Sequence, residues 1–358
     1  MAGVRQSVIR IGIVGAGRVA GSHADAARAV DGVALRAVAE VDEARREAFL
    51  ARYGSAGEMR AYADYRDLLS QDDIDLVIVT LPHWLHAEAA EAAAEAGKHV
   101  LLEKPMALSL AECDRIIDAA RRSGVVLAVG QTHHFHTVPV EAKRLLDTGR
   151  FGRIIWGTEL AYSPRRYGSN PEWFFDRAKG GGQLLANGVH YVDRLLWTIG
   201  GPTDAAATAA PVRARPVAVS AIVGTYFNRH EPRYQADDGA VLFIRFDTGQ
   251  AATLHLTGHY QGMSRSGAEY VCERGMVRYD GREVQATNPD DPDDREYHTV
   301  TIDPARRTSG FAAQLADVAE AIRQGRRPAV PGEWGRLVMQ VLFAAEESSR
   351  TGREVGLE

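Results

Sequence analysis

The stretch Ile9-Arg10-Ile11-Gly12-Ile13-Val14-Gly15-Ala16-Gly17-Arg18-Val19-Ala20 decides the fold. Its first half has the apolar, β-branched character of a buried strand, and it runs through Gly15 and Gly17 into an alanine-rich helical stretch ending near Val30. A second apolar strand, Ala34 to Ala39, stops at Glu40. Strand, glycine turn, helix and strand in this order form the opening βαβ of a dinucleotide-binding fold. Gly15 permits the tight turn, Gly17 lets the backbone reach a pyrophosphate, and Ala20 is small enough for helix and strand to pack. The helix start at Arg18 and Val19 offers free N–H groups and the positive end of the dipole to the phosphates. Glu40 would accept hydrogen bonds from ribose hydroxyls and repel a 2′-phosphate, so NAD is favoured over NADP, a preference that the nearby Arg18 and Arg45 soften.

Outward from this motif the alternation continues through Asp42–Tyr53, Tyr65–Ser70, Leu76–Leu81, His86–Ala96, His99–Leu102, Leu110–Ser123 and Val125–Val129. Such alternation implies a parallel sheet covered by helices on both faces. After about residue 130 strand-like runs dominate: Arg153–Ala161, Ala214–Asn228, Ala240–Asp247, Gln250–Gly258, Ala268–Glu273, Met276–Asp280 and Tyr297–Ile302. Their apolar–polar alternation points to an antiparallel or mixed sheet with one face covered. Helices over Pro139–Thr148, Gly182–Ile199, Phe311–Gln324 and Glu333–Arg350 are available as that cover. The expected fold is α/β: a Rossmann dinucleotide-binding domain over residues 1–130, then an α+β domain with a large mixed or antiparallel sheet over 131–358. Ligands of parallel sheets gather at the carboxyl ends of the strands, here Gly15–Arg18, Glu40, Leu81–His86, Glu103–Pro105 and Gly130–His136, and the cleft between domains is the natural place for a site.

Composition narrows the partners. With 42 basic and 47 acidic residues among 358 the formal charge is −5, which gives no global reason to bind nucleic acid or a membrane surface. No apolar run approaches the ~20 residues that a membrane span needs. Two cysteines, Cys113 and Cys272, are too few for a disulfide framework, and the N-terminus has no signal-peptide core, so a cytoplasmic protein with small-molecule partners is expected.

Four segments together resemble the Gfo/Idh/MocA oxidoreductases, relatives of glucose-fructose oxidoreductase and inositol 2-dehydrogenase. They are Gly15 to Ala20, Pro82-His83-Trp84-Leu85-His86, Gly97-Lys98-His99-Val100-Leu101-Leu102-Glu103-Lys104-Pro105, and Gly180-Gly181-Gly182 through His190 to Asp193. The resemblance covers essentially the whole chain, with a similar ending at Ser349–Val355. It implies an NAD-dependent enzyme in which Gly15, Gly17, Arg18, Val19, Glu40, Leu81, Pro82, His86, Glu103 and Lys104 surround the cofactor. By the same resemblance Lys104 lies beside nicotinamide and substrate, and His190 matches the catalytic histidine. The chemistry agrees: an ammonium can stabilise the alkoxide that develops in hydride transfer, and an imidazole suits proton exchange with a hydroxyl. Glu103 would neutralise or orient Lys104, and Pro105 would fix an unusual turn, for which a cis peptide is one means.

Two departures bear on the site. Relatives usually carry an aspartate four residues before the histidine, where this chain has Ala186, so His190 lacks the carboxylate that would orient it. Asn187 and Asp193 are the neighbouring polar alternatives, and Lys104 would carry more of the proton transfer. The second departure is Gln131-Thr132-His133-His134-Phe135-His136, in place of an asparagine and an arginine. Without a cysteine or carboxylate in a zinc spacing, His133 and His134 are read as substrate hydrogen-bonders and no metal is expected. In an extended segment His134 and His136 would share a face. Arg165, paired with Arg166, suits an anionic substrate group or is simply a solvated loop, and Trp173 follows in a region that can line the substrate cleft. Asp290, Asp291, Asp293 and Asp294 read as a solvated turn.

The expected activity is oxidation of a secondary hydroxyl of a sugar, cyclitol or related polyol, or reduction of the matching ketone. Alternatives are an NAD-using glycoside-cleaving enzyme with no net redox, and a non-catalytic nucleotide- or sugar-binding relative, which Ala186 favours. The resemblance also implies a homodimer or homotetramer formed through the open sheet face of the second domain.

Overall fold

The computed structural model describes residues 8–54, 59–164, 171–201, 213–258, 262–304 and 309–357. They gather into two compact units, one within Met1–Phe135 and Thr308–Arg336, the other within His136–Arg307 and Leu337–Glu358.

The first unit is built on six parallel strands: β1 (Ile9–Val14), β2 (Val33–Ala39), β3 (Arg60–Tyr62), β4 (Leu76–Val79), β5 (His99–Leu102) and β6 (Leu127–Val129), in the order β3-β2-β1-β4-β5-β6. Every residue of β4 is buried, as expected of a strand covered on both faces. The helices are α1 (Arg18–Ala29), α2 (Glu43–Tyr53), α3 (Tyr65–Leu69), α4 (His86–Glu95), α5 (Leu110–Ser123) and, from far down the chain, α8 (Gly310–Gln324). Side chains end them cleanly. Asp42 caps α2 by accepting from Arg45 N–H, Ser109 caps α5 by accepting from Glu112 N–H, and Gly124 closes α5 in the left-handed region at φ +66°. The strand order reverses between β1 and β4, the position at which ligands of such sheets bind.

The placement of α8 differs from the expectation that it covers the second sheet. Its Leu315, Val318 and Ala319 pack with Ala20, Ala24 and Ala27 of α1 in the core of the first unit, and Gln314 donates to Val129 O at 3.3 Å. The alanine stripe of α1 is flat, so a second helix can approach it closely.

The second unit is one mixed sheet of nine strands: β7 (Ile154–Ser163), β8 (Pro216–Gly224), β9 (Gly239–Phe246), β10 (Ala251–Gly258), β11 (Arg265–Cys272), β12 (Gly275–Asp280), β13 (Val284–Ala286), β14 (His298–Val300) and β15 (Val355–Gly356). Their order is β14-β13-β12-β11-β7-β10-β9-β8-β15; β7 and β10 run parallel and the other pairs antiparallel. On one face α6 (Thr137–Asp147) lies against β12 and β13, and α7 (Val189–Gly200) against β7 and β10. On the other face Val241 and Phe243 of β9, Ile222 of β8 and Trp156 of β7 are exposed. Helix α9 (Gly332–Thr351) braces one edge, where Ser348 and Ser349 accept from Ala221 and Val223 N–H of β8 at 2.9 and 2.8 Å.

The helix expected to start at Gly182 does not start as an α-helix. Leu184–Gly188 is a π-helical turn that passes into α7 at Val189. Its start is held by one buried residue: the Asp237 carboxyl accepts from Leu184 N–H through Oδ2 at 2.7 Å, and the Asp237 main-chain carbonyl accepts from Gln183 N–H at 3.0 Å. Gly182 sits at φ +103°, and a Cβ there would strike Asp237 Oδ1, so glycine is required on both steric and backbone grounds.

Candidate active site

In the first unit the glycine turn and the ends of β2, β4 and β5 assemble around the strand-order reversal. Gly15 has φ +94°, and a Cβ on it would lie 2.9 Å from Thr80 O, so the turn admits no side chain there. Gly17 is different, for a Cβ on it would meet nothing within 4 Å. It opens α1 with no side-chain cap, leaving the first amides of the helix to a ligand, beside exposed Arg18 and half-buried Val19. Glu40 reaches back to this turn: its Oε2 accepts from Ala16 N–H at 2.8 Å and its Oε1 from Asp42 N–H at 3.0 Å. Each oxygen keeps a lone pair for a further donor. An uncapped helix end, an open glycine and a carboxylate beside them fit the pyrophosphate and ribose of NAD, and the carboxylate opposes a 2′-phosphate.

Leu81 and Pro82 are half-buried beyond β4, whereas His86 is fully buried at the start of α4. Its Nδ1 is 2.8 Å from Pro105 O and its Nε2 2.8 Å from Leu81 O, so the ring ties the β4 end to the turn after β5. Burial holds its pKa below the usual histidine value, against the pull of the two carbonyls.

At the end of β5 lie buried Glu103, half-buried Lys104 and a cis Lys104–Pro105 bond. Glu103 Oε1 bonds His23 Nε2 of α1 at 2.8 Å and its Oε2 accepts from Lys104 N–H at 3.2 Å. Burial alone would raise this carboxyl; the bond and field from His23, together with the charge of Lys104, more than offset that and hold it below the usual carboxylate range. His23 was absent from the residues expected at the site. The available signal was a histidine interrupting the Ala20–Ala24–Ala27 stripe, since a polar residue on a buried face needs a partner.

His133 and His134 belong to a short 3-10 turn, Thr132–Phe135, and not to an extended segment. Both are half-buried, and the His134 ring stands edge-on to Trp334 at 5.8 Å. The period-two argument that puts His134 and His136 on one face therefore does not apply.

In the second unit His190 is half-buried in the first turn of α7. Ala186, one turn earlier in the π-helical segment, lies in an apolar cluster with Phe174, Phe175, Tyr234 and Ala236, against which Trp173 packs. Alanine fits this apolar surrounding, in which a carboxylate would be largely desolvated. Asn187 is half-buried and donates through Nδ2 to Gln183 Oε1 at 2.7 Å. One turn beyond His190, Arg194 grips buried Glu159 of β7 through Nε at 2.9 Å and Nη2 at 2.5 Å, and Tyr279 donates to the same carboxylate at 3.0 Å. This buried pair locks α7 to the sheet. Neither Asp237 nor Glu159 was anticipated, because pairing with partners 53 and 35 residues away leaves no local spacing. Arg165 lies outside the described residues. Among the described residues no group of three or more His, Cys, Asp or Glu could hold a metal ion.

Comparison with known proteins accords with this geometry. Residues 9–131 match the model of the oxidoreductase family with an NAD-binding Rossmann fold, and residues 140–278 match the C-terminal domain model of the same GFO/IDH/MocA family. The chain is 25% identical over 353 residues to a myo-inositol 2-dehydrogenase of Thermotoga maritima, covering 98% of this chain and 99% of that one. It is 31% identical over 269 residues to the 1-carboxy-3-chloro-3,4-dihydroxycyclohexa-1,5-diene dehydrogenase of Comamonas testosteroni, covering 75% of this chain but only 62% of the relative's length. Among solved structures, GenD2 from gentamicin A biosynthesis, in complex with NAD, superposes with a TM-score of 0.81 at 25% identity, covering 98% of this chain and 97% of that one. An uncapped glycine turn with Glu40 folded onto it, a strand ending in Glu103-Lys104-Pro105, and matches to both domain models place this chain in the Gfo/Idh/MocA family of NAD-binding oxidoreductases.

Proposed function

We propose that this protein is an NAD-dependent dehydrogenase that oxidises a secondary hydroxyl of a sugar, cyclitol or related polyol, or reduces the matching ketone. One observation carries the proposal: a half-buried lysine, its main-chain N–H held by the buried carboxylate of Glu103, ends a strand of an NAD-binding oxidoreductase domain. The two named relatives support the substrate class, since both names denote dehydrogenases of hydroxylated six-membered rings.

Bound NAD supplies the hydride acceptor. The amides of Gly17, Arg18 and Val19 hold the pyrophosphate and Glu40 takes the ribose hydroxyls, while Leu81, Pro82 and His86 shape the wall of this site. Lys104 donates a hydrogen bond to the reacting oxygen and stabilises negative charge as it develops there. His190 accepts the hydroxyl proton in the forward direction and returns it in reverse. His133, His134, Trp173, Asn187 and Arg165 are the candidates for binding the remaining hydroxyls or an acidic group of the substrate. Residues 1–130 serve the cofactor, and 131–358 serve the substrate and self-association.

The test is turnover of NAD, followed by the near-ultraviolet absorbance of NADH, against a panel of sugars, cyclitols and sugar acids. Wild type is expected to turn over at least one of them, and Lys104→Ala and His190→Ala each to lose at least ~100-fold in kcat. NAD bound in a calorimeter but no turnover anywhere on the panel would contradict the proposal. That result would favour a redox-neutral glycoside-cleaving enzyme or a non-catalytic binding protein, the reading that alanine at 186 supports. The working protein is proposed to be a cytoplasmic homodimer or homotetramer. Both cysteines are free, and burial pushes each thiol up to about 12, which suits a reducing compartment.

A further inference from the structure

Glu103 is 5% exposed and His23 is fully buried, yet neither belongs to the packing of an ordinary core. The contact between them is short, 2.8 Å from Nε2 to Oε1, and it is screened from water on its far side by Phe311, whose ring meets the His23 ring edge-on at 5.0 Å. His23 Nδ1 has no hydrogen-bond partner among the described residues, so Nε2 is the nitrogen that presents its hydrogen to the carboxylate. Space is kept for this carboxylate as well. A Cβ on Gly130 would lie 3.1 Å from Glu103 Cα and 3.2 Å from its Oε1, so glycine at the end of β6 leaves the room in which the side chain turns toward α1. The other oxygen of the same carboxylate returns to Lys104 N–H.

We propose that His23 is a positioning residue: by bonding Glu103 it fixes a buried carboxylate beside Lys104, and so sets the charge state of the Lys104 ammonium. The proposal deepens the dehydrogenase reading above, on which its functional consequence rests. A carboxylate in low dielectric persists as an anion only while a donor holds it, and an anion beside an ammonium raises the pH at which the ammonium loses its proton. Without His23 the Glu103 site takes up a proton, its negative charge disappears, and Lys104 is left as a partly buried cation that deprotonates at lower pH. The titratable groups that act on Glu103 are His23 from α1, Lys104 next to it in the chain, and His86 from α4, with His83 against the His86 ring at 5.6 Å. His86 is already held by two main-chain carbonyls and cannot replace His23 as donor.

The experiment is a pH titration of the lysine ε-carbons by NMR in the full-length protein. The chain has four lysines, Lys98, Lys104, Lys143 and Lys179, so Lys104→Arg assigns the resonance. His23→Leu is expected to lower the titration midpoint of Lys104 by about one unit or more, and His23→Gln, which keeps an N–H donor near the same place, to restore most of it. Glu103→Gln should shift Lys104 as far as His23→Leu does, and the double variant no further, because both remove one and the same charge. Should His23→Leu prove unable to fold, Glu103→Gln and His23→Gln still read the coupling. A Lys104 titration that superimposes on wild type in either His23→Leu or Glu103→Gln would overturn the proposal. The pH dependence of turnover separates it from the dehydrogenase reading. If both hold, the alkaline limb of the rate profile moves down in step with Lys104; if the NMR shift occurs in a protein that turns over no polyol, the positioning role stands and the reaction assignment fails.

Discussion

Glu40 is the residue on which we propose that cofactor choice turns. Its two oxygens accept from Ala16 and Asp42 N–H at 2.8 and 3.0 Å, which places the carboxylate against the glycine turn before any ribose arrives. Glu40→Ala removes a charged acceptor and is expected to weaken NAD binding by ~10- to 100-fold, since hydrogen bonds to charged groups are worth ~1.5–3 kcal/mol. Glu40→Arg is expected to invert the preference toward NADP. Calorimetry with both cofactors reads each change, and an unaltered NAD affinity in Glu40→Ala would remove Glu40 from the site. Its position on the glycine turn was legible in the sequence because the signal is local: an acid at the end of the second strand after a glycine turn. His23 was not, because its meaning lies in a partner 80 positions away.

At the scale of elements, the segment that presents His190 depends on buried carboxylates that no periodicity announces. The π-helical turn Leu184–Gly188 is held at its start by Asp237, and α7 is held to β7 by the Arg194–Glu159 pair. Burial, with a contribution from Glu346, pushes the Asp237 carboxyl up to about 7 against the Leu184 N–H bond and the charge of Arg177. The native state therefore holds a proton that the unfolded chain releases near pH ~4. Stability from this group is complete below that value, falls as pH rises, and is lost above about 7, a change of up to roughly 4 kcal/mol. Asp237→Asn mimics the protonated form. It should match wild type in denaturant unfolding near pH ~3 and exceed it near pH ~8, whereas a constant difference at both would show that Asp237 does not titrate in this range. The strands and most helices were readable from alternation and caps, and α5 spans the anticipated Leu110–Ser123. The π turn was not, because it follows from a carboxylate 53 residues beyond Leu184. The short strands β3, β13 and β15 were missed because two or three residues carry no period.

For the whole molecule, the sheet of the second unit has one face left uncovered by the described residues. Trp156 is 50% and Ile222 58% exposed, with Val241 and Phe243 between them in register, Ile222 opposite Val241 and Thr253 opposite Phe243. An exposed apolar patch of this kind marks an interaction surface. If self-association uses it, Phe243→Glu should convert the oligomer to a monomer in light scattering while NAD still binds, and an oligomer unchanged by that substitution would exclude this face. The central claim concerns the reaction, and one measurement tests it most directly: a cyclitol deuterated at its carbinol carbons is incubated with the protein and NAD, and the nicotinamide product is examined by mass spectrometry. The dehydrogenase account predicts net accumulation of singly deuterated NADH together with the ketone, lost in Lys104→Ala. Deuterium retained entirely in the carbon skeleton, with NAD bound but unreduced, would contradict it.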